Sequence, residues 1–405
     1  LGGGPCSMVS GLLGLGVPRM SFQALRQTVD RLLPSSDPVR YVAEDGTPLP
    51  VPDGAEIPAD AVLLDAFRRM VVGRRFDAQA TVLTRQGRLA VYPSSRGQEA
   101  CQIGAVLALR EEDWLFPTYR DSMALFARGL DPLELLTLLR GEWHCGYDPV
   151  AWRTAPQCTP LATQAPHAVG LAEALRRRGR GGVVLALVGD GGTSEGDFHE
   201  ALNFAGVLGA PVVFLVQNNR YAISVPLERQ SAAPALALRG VGCGVPSEQV
   251  DGNDLVATLA VVSAAVERAR AGRGPSLIEA HTYRIEPHTN ADDAGRYRDE
   301  EEVARWRAAD PVVRLERYLR HRRLLTDREV ADAQQEAERA AEALRAGLGG
   351  PLAGDPLELF SHVFAEPTPQ LVEQRAWLAA ELAASDGDDG AGGDSDGVGL
   401  EGRSG

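Results

Sequence analysis

The apolar positions of this chain follow two periods, and the way they alternate predicts the architecture. Short, wholly apolar runs at Val183–Val188 and Val212–Val216 each end in polar punctuation, Gly189-Asp190-Gly191-Gly192 and Gln217-Asn218-Asn219. Runs of that length bounded by Gly and Asn read as buried strands. Between them, about Glu195 to Leu208, the pattern is helical. Strand, helix and strand predict a βαβ unit in a parallel sheet, where ligands bind beyond the carboxyl ends of the strands. Ser276–His281 reads as a further buried strand.

From Asp60 the residues Val62, Leu63, Phe67, Met70, Val71 and Phe76 recur at helical spacing. Further helices are predicted at about Gly97–Leu109, Ser122–Arg128, Pro132–Arg140, Leu161–Arg178, Leu255–Ala271, Glu300–Arg307, Pro311–Arg320 and Asp327–Leu348. Asp113–Arg120 reads as a strand or loop. Gly141–Pro160 and Tyr283–Arg298 read as long loops, and long loops in compact domains are functional or disordered. The expected fold class is therefore α/β, a mostly parallel central sheet flanked by helices, with a helical C-terminal region.

Residues 1–58 are rich in Gly and Pro and show little periodicity, which predicts an irregular arm with a turn at Glu44-Asp45-Gly46. The segment Met8–Val17 is weakly signal-like without a basic leader, and reads as a flexible start or as upstream sequence. The tail 385–405 is Gly, Asp and Ser and is expected to be disordered. The expected division is thus arm 1–58, α/β domain 59–384 and acidic tail 385–405.

Composition narrows the chemistry. The formal charge is −14, which speaks against nucleic acid as a main partner. No apolar run approaches a membrane span. The basic residues are all Arg. Without Lys there is neither a Schiff-base amine, as ordinary pyridoxal phosphate chemistry needs, nor a phosphate-loop Lys. Cys6, Cys101, Cys145, Cys158 and Cys243 form no CxxC pair, which fits a reduced, cytoplasmic protein.

Asp190 and Asn219 carry the strongest chemical signal. GDG and NN stand twenty-six residues apart, at the ends of two strands joined by one helix. A lone GDG reads as a turn; the pair offers one charged and one neutral oxygen donor, the minimal set for Mg²⁺ held together with ligand phosphates. The glycines permit close backbone approach, and the following helix start supplies free N–H groups.

This pattern resembles the thiamine-diphosphate motif. From roughly Asp60 to Ala380 the chain resembles the alpha subunit of the decarboxylating component of 2-oxo acid dehydrogenase complexes. The resemblance rests on RQGRLAVYPSSRGQEA (85–100), DWLFPTYRD (113–121), PLATQAPHAVG (160–170), the GDG/NN pair, RYAIS (220–224), QVDGND (249–254) and TYRIEPHTNADDAGRYR (282–298). It implies Mg²⁺ on the side chains of Asp190 and Asn219 and the carbonyl of Tyr221. It places Gly191, Gly192 and Gln217 along the diphosphate, Tyr119 and Arg120 at the phosphates, and Thr159 and Leu161 against the cofactor rings. It extends to a K⁺ site with Cys158 and Pro160 (main chain), Thr163 and Gln164 as ligands.

A lone loop histidine is usually just solvated. The resemblance, however, sets His288 facing the thiazolium ring, as a proton donor or a held charge near the 2-oxo acid. Thr289 occupies a position that mitochondrial relatives phosphorylate on Ser, and no such regulation is inferred for Thr. Glu286 stands where relatives often carry Gly. An acid there either raises the His288 pKa or marks a loop that bends differently.

The resemblance also implies what this chain lacks. One βαβ unit binds the diphosphate end, and the carboxylate that activates the aminopyrimidine comes from a separate beta subunit. The expected assembly is an α₂β₂ heterotetramer, inactive as the alpha chain alone. It would pass its acyl product to the lipoyl group of an acyltransferase component, through a channel that the His288 loop helps to form. RGVGCGVPSEQVDGND (239–254) and TYRI resemble branched-chain members; GDGGTSEGDF and FPTYRD also resemble bacterial pyruvate members. Branched-chain 2-oxo acids of the 2-oxoisovalerate type are the expected substrates and pyruvate the alternative. An acetoin dehydrogenase alpha subunit and a non-catalytic binding subunit are the lesser alternatives, and a split transketolase is disfavoured by the YR pair and the His288 loop.

Overall fold

A computed structural model describes residues 22–349 and 355–388; Met8–Val17 and the tail beyond 388 lie outside them. At its centre are five parallel strands: β1 (Trp114–Phe116), β2 (Val184–Gly189), β3 (Val212–Asn218), β6 (Ser247–Asp251) and β7 (Ser276–His281). Their order is β1-β2-β3-β7-β6. Two short strands, β4 (Tyr221–Ala222) and β5 (Val225–Pro226), form a separate antiparallel hairpin just after β3.

Both faces of the sheet are covered, which explains the unbroken apolar runs. Side chains alternate between the faces of a strand. Leu185 and Leu187 of β2 and Val213 and Leu215 of β3 join one core, with Phe67, Met70 and Ile103. Val184, Ala186 and Val188, with Val212, Phe214 and Val216, join the other, with Phe198 and Leu202. The first core lies under the helices Asp60–Arg85, Glu99–Leu107 and Leu255–Arg270, and the second under Gln164–Arg177 and Gly196–Leu208. The predicted helices are present, with ends shifted by a few residues. Asp60–Arg85 runs nine residues past Phe76, the last residue of the predicted pattern, and packs along Asp327–Gly347.

Other elements differ from the sequence reading. A helix, Phe22–Asp30, stands in the segment expected to be irregular. Its apolar Phe22, Leu25 and Val29 do recur at helical spacing, but over only nine residues. The chain after it is tied to the sheet by a bridge between Val39 and Val250 and by two N–H groups, of Tyr41 and Val42, that donate to Asp254 Oδ2 at 2.7 Å each. The loop Gly141–Pro160 contains a single helical turn, Pro149–Trp152, capped by Asp148. Strand β6, Ser-Glu-Gln-Val-Asp, is short and polar except for Val250, so it has no apolar run to stand out from sequence.

By packing, the chain divides into two units, 1–349 and 350–405. The second contains a short turn of helix, Pro356–Phe360, and the helix Pro369–Asp388, which continues past Ser385, where the sequence pattern sets the start of the acidic tail. Among the described residues no helix is long and apolar enough to cross a membrane.

Candidate active site

The carboxyl ends of β1, β2 and β3 open into a cavity of about 530 Å³. Of the residues that the resemblance assigns to cofactor, metal or catalysis, all but Thr163 line it: Tyr119, Arg120, Cys158, Thr159, Pro160, Leu161, Gln164, Asp190, Gly191, Gly192, Gln217, Asn219, Tyr221 and His288. Thr163 stays off the wall, half-buried at the start of the helix Gln164–Arg177. Val91, Pro93, Leu138 and Leu139 form an apolar stretch of the same wall.

Parallel pairing of Gly189 with Gln217 brings the two strand ends level, so Asp190 and Asn219 leave the sheet side by side. Arg220 then adopts a left-handed conformation, φ 74°, which few residues other than Gly and Asn accept. This sharp bend lets the Asn219 side chain and the Tyr221 residue serve one place. Gly191 is required by proximity: a Cβ there would sit 2.6 Å from Ala222 Cβ. The β4–β5 hairpin thus packs directly on the GDG turn.

Asp190 is 1% exposed. Burial pushes its carboxyl above the ordinary range, opposed by a hydrogen bond from Gln230 Nε2 to Oδ2 at 3.1 Å. Asn219 donates its Nδ2 to Gln98 Oε1 at 3.1 Å, so its Oδ1 faces the other way. Gln217 borders the cavity, but its amide is engaged within the protein: Nε2 donates to Asp121 Oδ1, and Oε1 accepts from Gln98 and Gln102. On the other wall Gln164 Nε2 donates to Leu187 O, while its buried Oε1 has no hydrogen-bond partner among the described residues. The thiol of Cys158 donates to the Pro160 carbonyl at 3.1 Å, and the Cys158 carbonyl accepts from the Tyr119 N–H at 3.2 Å.

His288 is held from two sides. Arg120 Nη2 lies 2.9 Å from its Nδ1 and donates to its carbonyl at 2.8 Å; Arg284 Nη1 lies 3.3 Å from the same Nδ1. A guanidinium only donates, so Nδ1 must accept. The imidazole is then neutral, with its proton on Nε2. Burial, then Arg120 and Arg284, lower its pKa to about 4. The ring meets Tyr119 edge-on, centroids 6.0 Å apart. Glu286 does not raise this pKa: it pairs with Arg96 at 3.0 Å instead. A neutral hydrogen-bond donor is therefore what His288 presents, and the held-charge alternative is not supported.

Arg284 is the main residue that sequence reading passes over. It is 1% exposed and borders the cavity. Its Nη2 donates to Ile223 O at 2.7 Å and to Tyr297 Oη at 2.8 Å. Tyr297 in turn bonds Asp292 Oδ2, which also accepts the His288 N–H at 2.7 Å. The loop expected to be functional or disordered is thus pinned through its own Asp, Tyr and Arg. Burial, then the nearby Arg120, lowers the Arg284 pKa to about 10, which leaves it charged at neutral pH. Its signal lay inside TYRI, read for resemblance only. Gln98, Asp121 and Gln230 were likewise hidden, because buried amides and a carboxylate after Arg carry no periodic signature.

A further acid supports the Arg120 wall from behind. Asp77 is buried and accepts from Tyr92 Oη (2.9 Å), Ser94 Oγ (2.5 Å) and the Ser95 N–H (2.8 Å). Ser94 O accepts from Arg120 Nη1 at 3.0 Å, and Ser95 Oγ donates to Arg120 O at 2.6 Å. Gly97, φ 91°, closes this loop over the Tyr283 carbonyl, 2.1 Å from where a Cβ would stand.

A parallel α/β sheet with GDG and NN at adjacent strand ends, an Arg beside them and a loop His across the cavity defines a class, and comparison agrees. The chain belongs to the dehydrogenase E1 component family, whose model matches residues 67–345. It is 45% identical over 350 residues to the 3-methyl-2-oxobutanoate dehydrogenase subunit alpha of Mycobacterium tuberculosis (strain H37Rv), covering 86% of this chain and 95% of that one. It is 40% identical over 291 residues to the pyruvate dehydrogenase E1 component subunit alpha of Staphylococcus aureus (strain N315), covering 71% and 78%. The alpha-subunit resemblance read from the motifs holds: the chain is a thiamine-diphosphate-dependent E1 alpha subunit, and an alpha subunit implies a beta subunit.

Proposed function

We propose that this chain, with its beta subunit, carries out the oxidative decarboxylation of branched-chain 2-oxo acids and passes the acyl group to the lipoyl group of an acyltransferase component. The likeness to the 3-methyl-2-oxobutanoate dehydrogenase subunit alpha over 95% of that protein's length is the observation that carries the substrate class. The apolar wall of Val91, Pro93, Leu138 and Leu139 is compatible with an aliphatic side chain. Pyruvate is the second reading, favoured by the 40% identity to a pyruvate dehydrogenase alpha subunit.

The residues present fit the cofactor and its metal. Among the described residues no cationic side chain is hydrogen-bonded to the buried Asp190 carboxyl, Asn219 has an oxygen turned from Gln98, and the Tyr221 carbonyl accepts a long bond, 3.5 Å, from Arg284. One charged and two neutral oxygens suit Mg²⁺ when diphosphate and water complete the shell. Arg120 and Arg284 line the same cavity and would neutralise phosphate charge there. For K⁺, the orphaned Gln164 Oε1 and the Cys158 and Pro160 carbonyls are oxygen donors on one wall. Thr163 is the weakest member of that set, since it does not line the cavity.

When bound, thiamine diphosphate supplies the carbanion and the electron sink for decarboxylation. This chain's residues grip the diphosphate, bury it, and hold the His288 Nε2–H donor at the cavity wall. That donor is neutral at working pH, so it stabilises developing negative charge on an oxygen by a hydrogen bond and can pass a proton. The activating carboxylate is expected from the beta subunit. The test is a panel of 2-oxo acids assayed with the co-expressed pair, Mg²⁺ and thiamine diphosphate. Preference for 3-methyl-2-oxobutanoate supports the reading. Preference for pyruvate replaces the substrate, and no CO₂ from any member defeats the catalytic role.

A further inference from the structure

Behind the cavity lies a chain of side-chain amides that ends on a carboxylate. Asp121, Gln217, Gln98 and Asn219 are 0%, 2%, 2% and 6% exposed. Gln217 Nε2 donates to Asp121 Oδ1 at 2.6 Å, Gln98 Nε2 donates to Gln217 Oε1 at 2.8 Å, and Asn219 Nδ2 donates to Gln98 Oε1 at 3.1 Å. We propose that Asp121 sets the hydrogen-bond polarity of this chain and so turns the Asn219 oxygen toward the metal position. Asp121 is a positioning residue, and the inference rests on the Mg²⁺ reading of Asp190 and Asn219.

The argument is one of direction. A carboxamide has a donor end and an acceptor end of nearly equal size, so an isolated Asn fits its site either way round. In a chain each amide must place its donor on the next acceptor, and a single end group fixes all of them. An ionised carboxylate has no donor. Burial pushes the Asp121 carboxyl upward, but hydrogen bonds from the Gln217 amide and from the Thr118 N–H at 2.6 Å, one on each oxygen, favour the ionised form in which both oxygens accept. Gln217 must therefore present its NH₂ to Asp121 and its oxygen to Gln98.

A side branch strengthens the same sense. Gln102 Nε2 donates both to Gln217 Oε1 at 2.9 Å and to Arg120 O at 3.2 Å. At the far end only the Asn219 oxygen remains, and among the described residues it accepts just one long bond, 3.3 Å, from the Tyr221 N–H. Reversal of the chain would present the Asn219 NH₂ to a divalent cation and repel it. The relay also joins two walls, since Asp121 follows Arg120 in sequence and Asn219 follows β3. Outer partners that orient a metal ligand typically alter metal affinity about 10–100-fold when removed.

The test uses the full chain co-expressed with its beta subunit. Binding of thiamine diphosphate is followed calorimetrically while Mg²⁺ is titrated, and thermal unfolding checks that each variant is folded. Asp121→Asn is nearly isosteric but brings a donor to the end of the chain, so the Mg²⁺ concentration for half-maximal binding rises about 10–100-fold. Because Gln102 also holds Gln217 in its present sense, reversal needs that branch removed as well, by Gln102→Met. With it removed, Asn219→Asp lets the chain run in the opposite sense, with an acceptor now at the far end, so Asn219→Asp lowers the Mg²⁺ requirement more in the Asp121→Asn, Gln102→Met background than in the wild-type one.

An equal effect of Asn219→Asp in the two backgrounds, or an unchanged Mg²⁺ requirement in Asp121→Asn, would overturn the relay. If Asp121→Asn does not assemble, Gln98→Met cuts the same chain one link from Asn219. It raises the Mg²⁺ requirement if the relay exists and leaves it unchanged if not. A wild-type complex that binds thiamine diphosphate without regard to Mg²⁺ would overturn the metal reading itself and the relay with it. The failure of each is thus separately visible.

Discussion

Arg120 meets His288 at two points, lying 2.9 Å from Nδ1 and donating to the carbonyl oxygen at 2.8 Å. One guanidinium therefore fixes both the tautomer of the ring and the path of the loop that carries it. Arg284 doubles the arrangement from beneath, and the positive charge of both residues sets the protonation state of the imidazole.

The first expectation concerns that state. The folded pKa of His288 is lowered to about 4 from the ordinary imidazole value of about 6.5, by burial and then by Arg120 and Arg284. The unfolded chain takes up its proton first as pH falls. Stability tied to this residue is thus present above about 6.5 and is lost as pH falls toward 4. NMR of the imidazole in the cofactor-free complex should show a midpoint near 4, and a midpoint above 6 would contradict the geometry.

His288→Ala should leave thiamine diphosphate binding within a few-fold of wild type, because Arg120 and the metal ligands remain. Overall turnover, measured as acyl transfer to the lipoyl group, should fall about 10²–10⁴-fold, the usual contribution of a positioned proton donor. Unchanged overall turnover removes His288 from the mechanism.

Asp190→Ala should abolish Mg²⁺-dependent cofactor binding, since it removes the one charged oxygen among the three proposed metal donors. Burial holds this carboxyl above its ordinary range, so the cofactor-free variant should melt no lower than wild type. Calorimetric binding and a melting curve check both halves. Wild-type affinity for thiamine diphosphate in the variant would sink the metal assignment.

Asp77 gives a stability signature. Burial raises its carboxyl to about 6, against hydrogen bonds from Ser94, Ser95 and Tyr92 that lower it. In the unfolded chain it ionises near 3.9. Between those values the fold keeps the proton and the unfolded chain loses it, so the stability tied to Asp77 falls as pH rises from about 4 to 6. The size is about 3 kcal/mol for a shift of about two units. Denaturant unfolding of wild type and Asp77→Asn across that range should converge at low pH and diverge in slope above it. Parallel curves would refute the shift.

How much of this was legible in the chain depends on the range of each interaction. Local order was readable: the apolar runs of β2, β3 and β7 and the long helices carry their period in consecutive residues. Asp190 and Asn219 were readable because two strand ends joined by one helix must become neighbours, whatever surrounds them. The short β6 was not, because pairing to β7 supplies what its own residues lack, and the arm helix was not, because its pattern covers only nine residues.

The sequence by itself determined the α/β class, the pairing of Asp190 with Asn219 at adjacent strand ends and the position of His288 in a polar loop. Only the tertiary structure decided which proton His288 carries, where Glu286 turns, and which way the amide of Asn219 faces. Those are set by Arg120, Arg284, Arg96 and Asp121, partners up to 190 residues away in sequence. A charge and a hydrogen-bond direction depend on what stands within a few ångströms, and no periodicity along the chain records that.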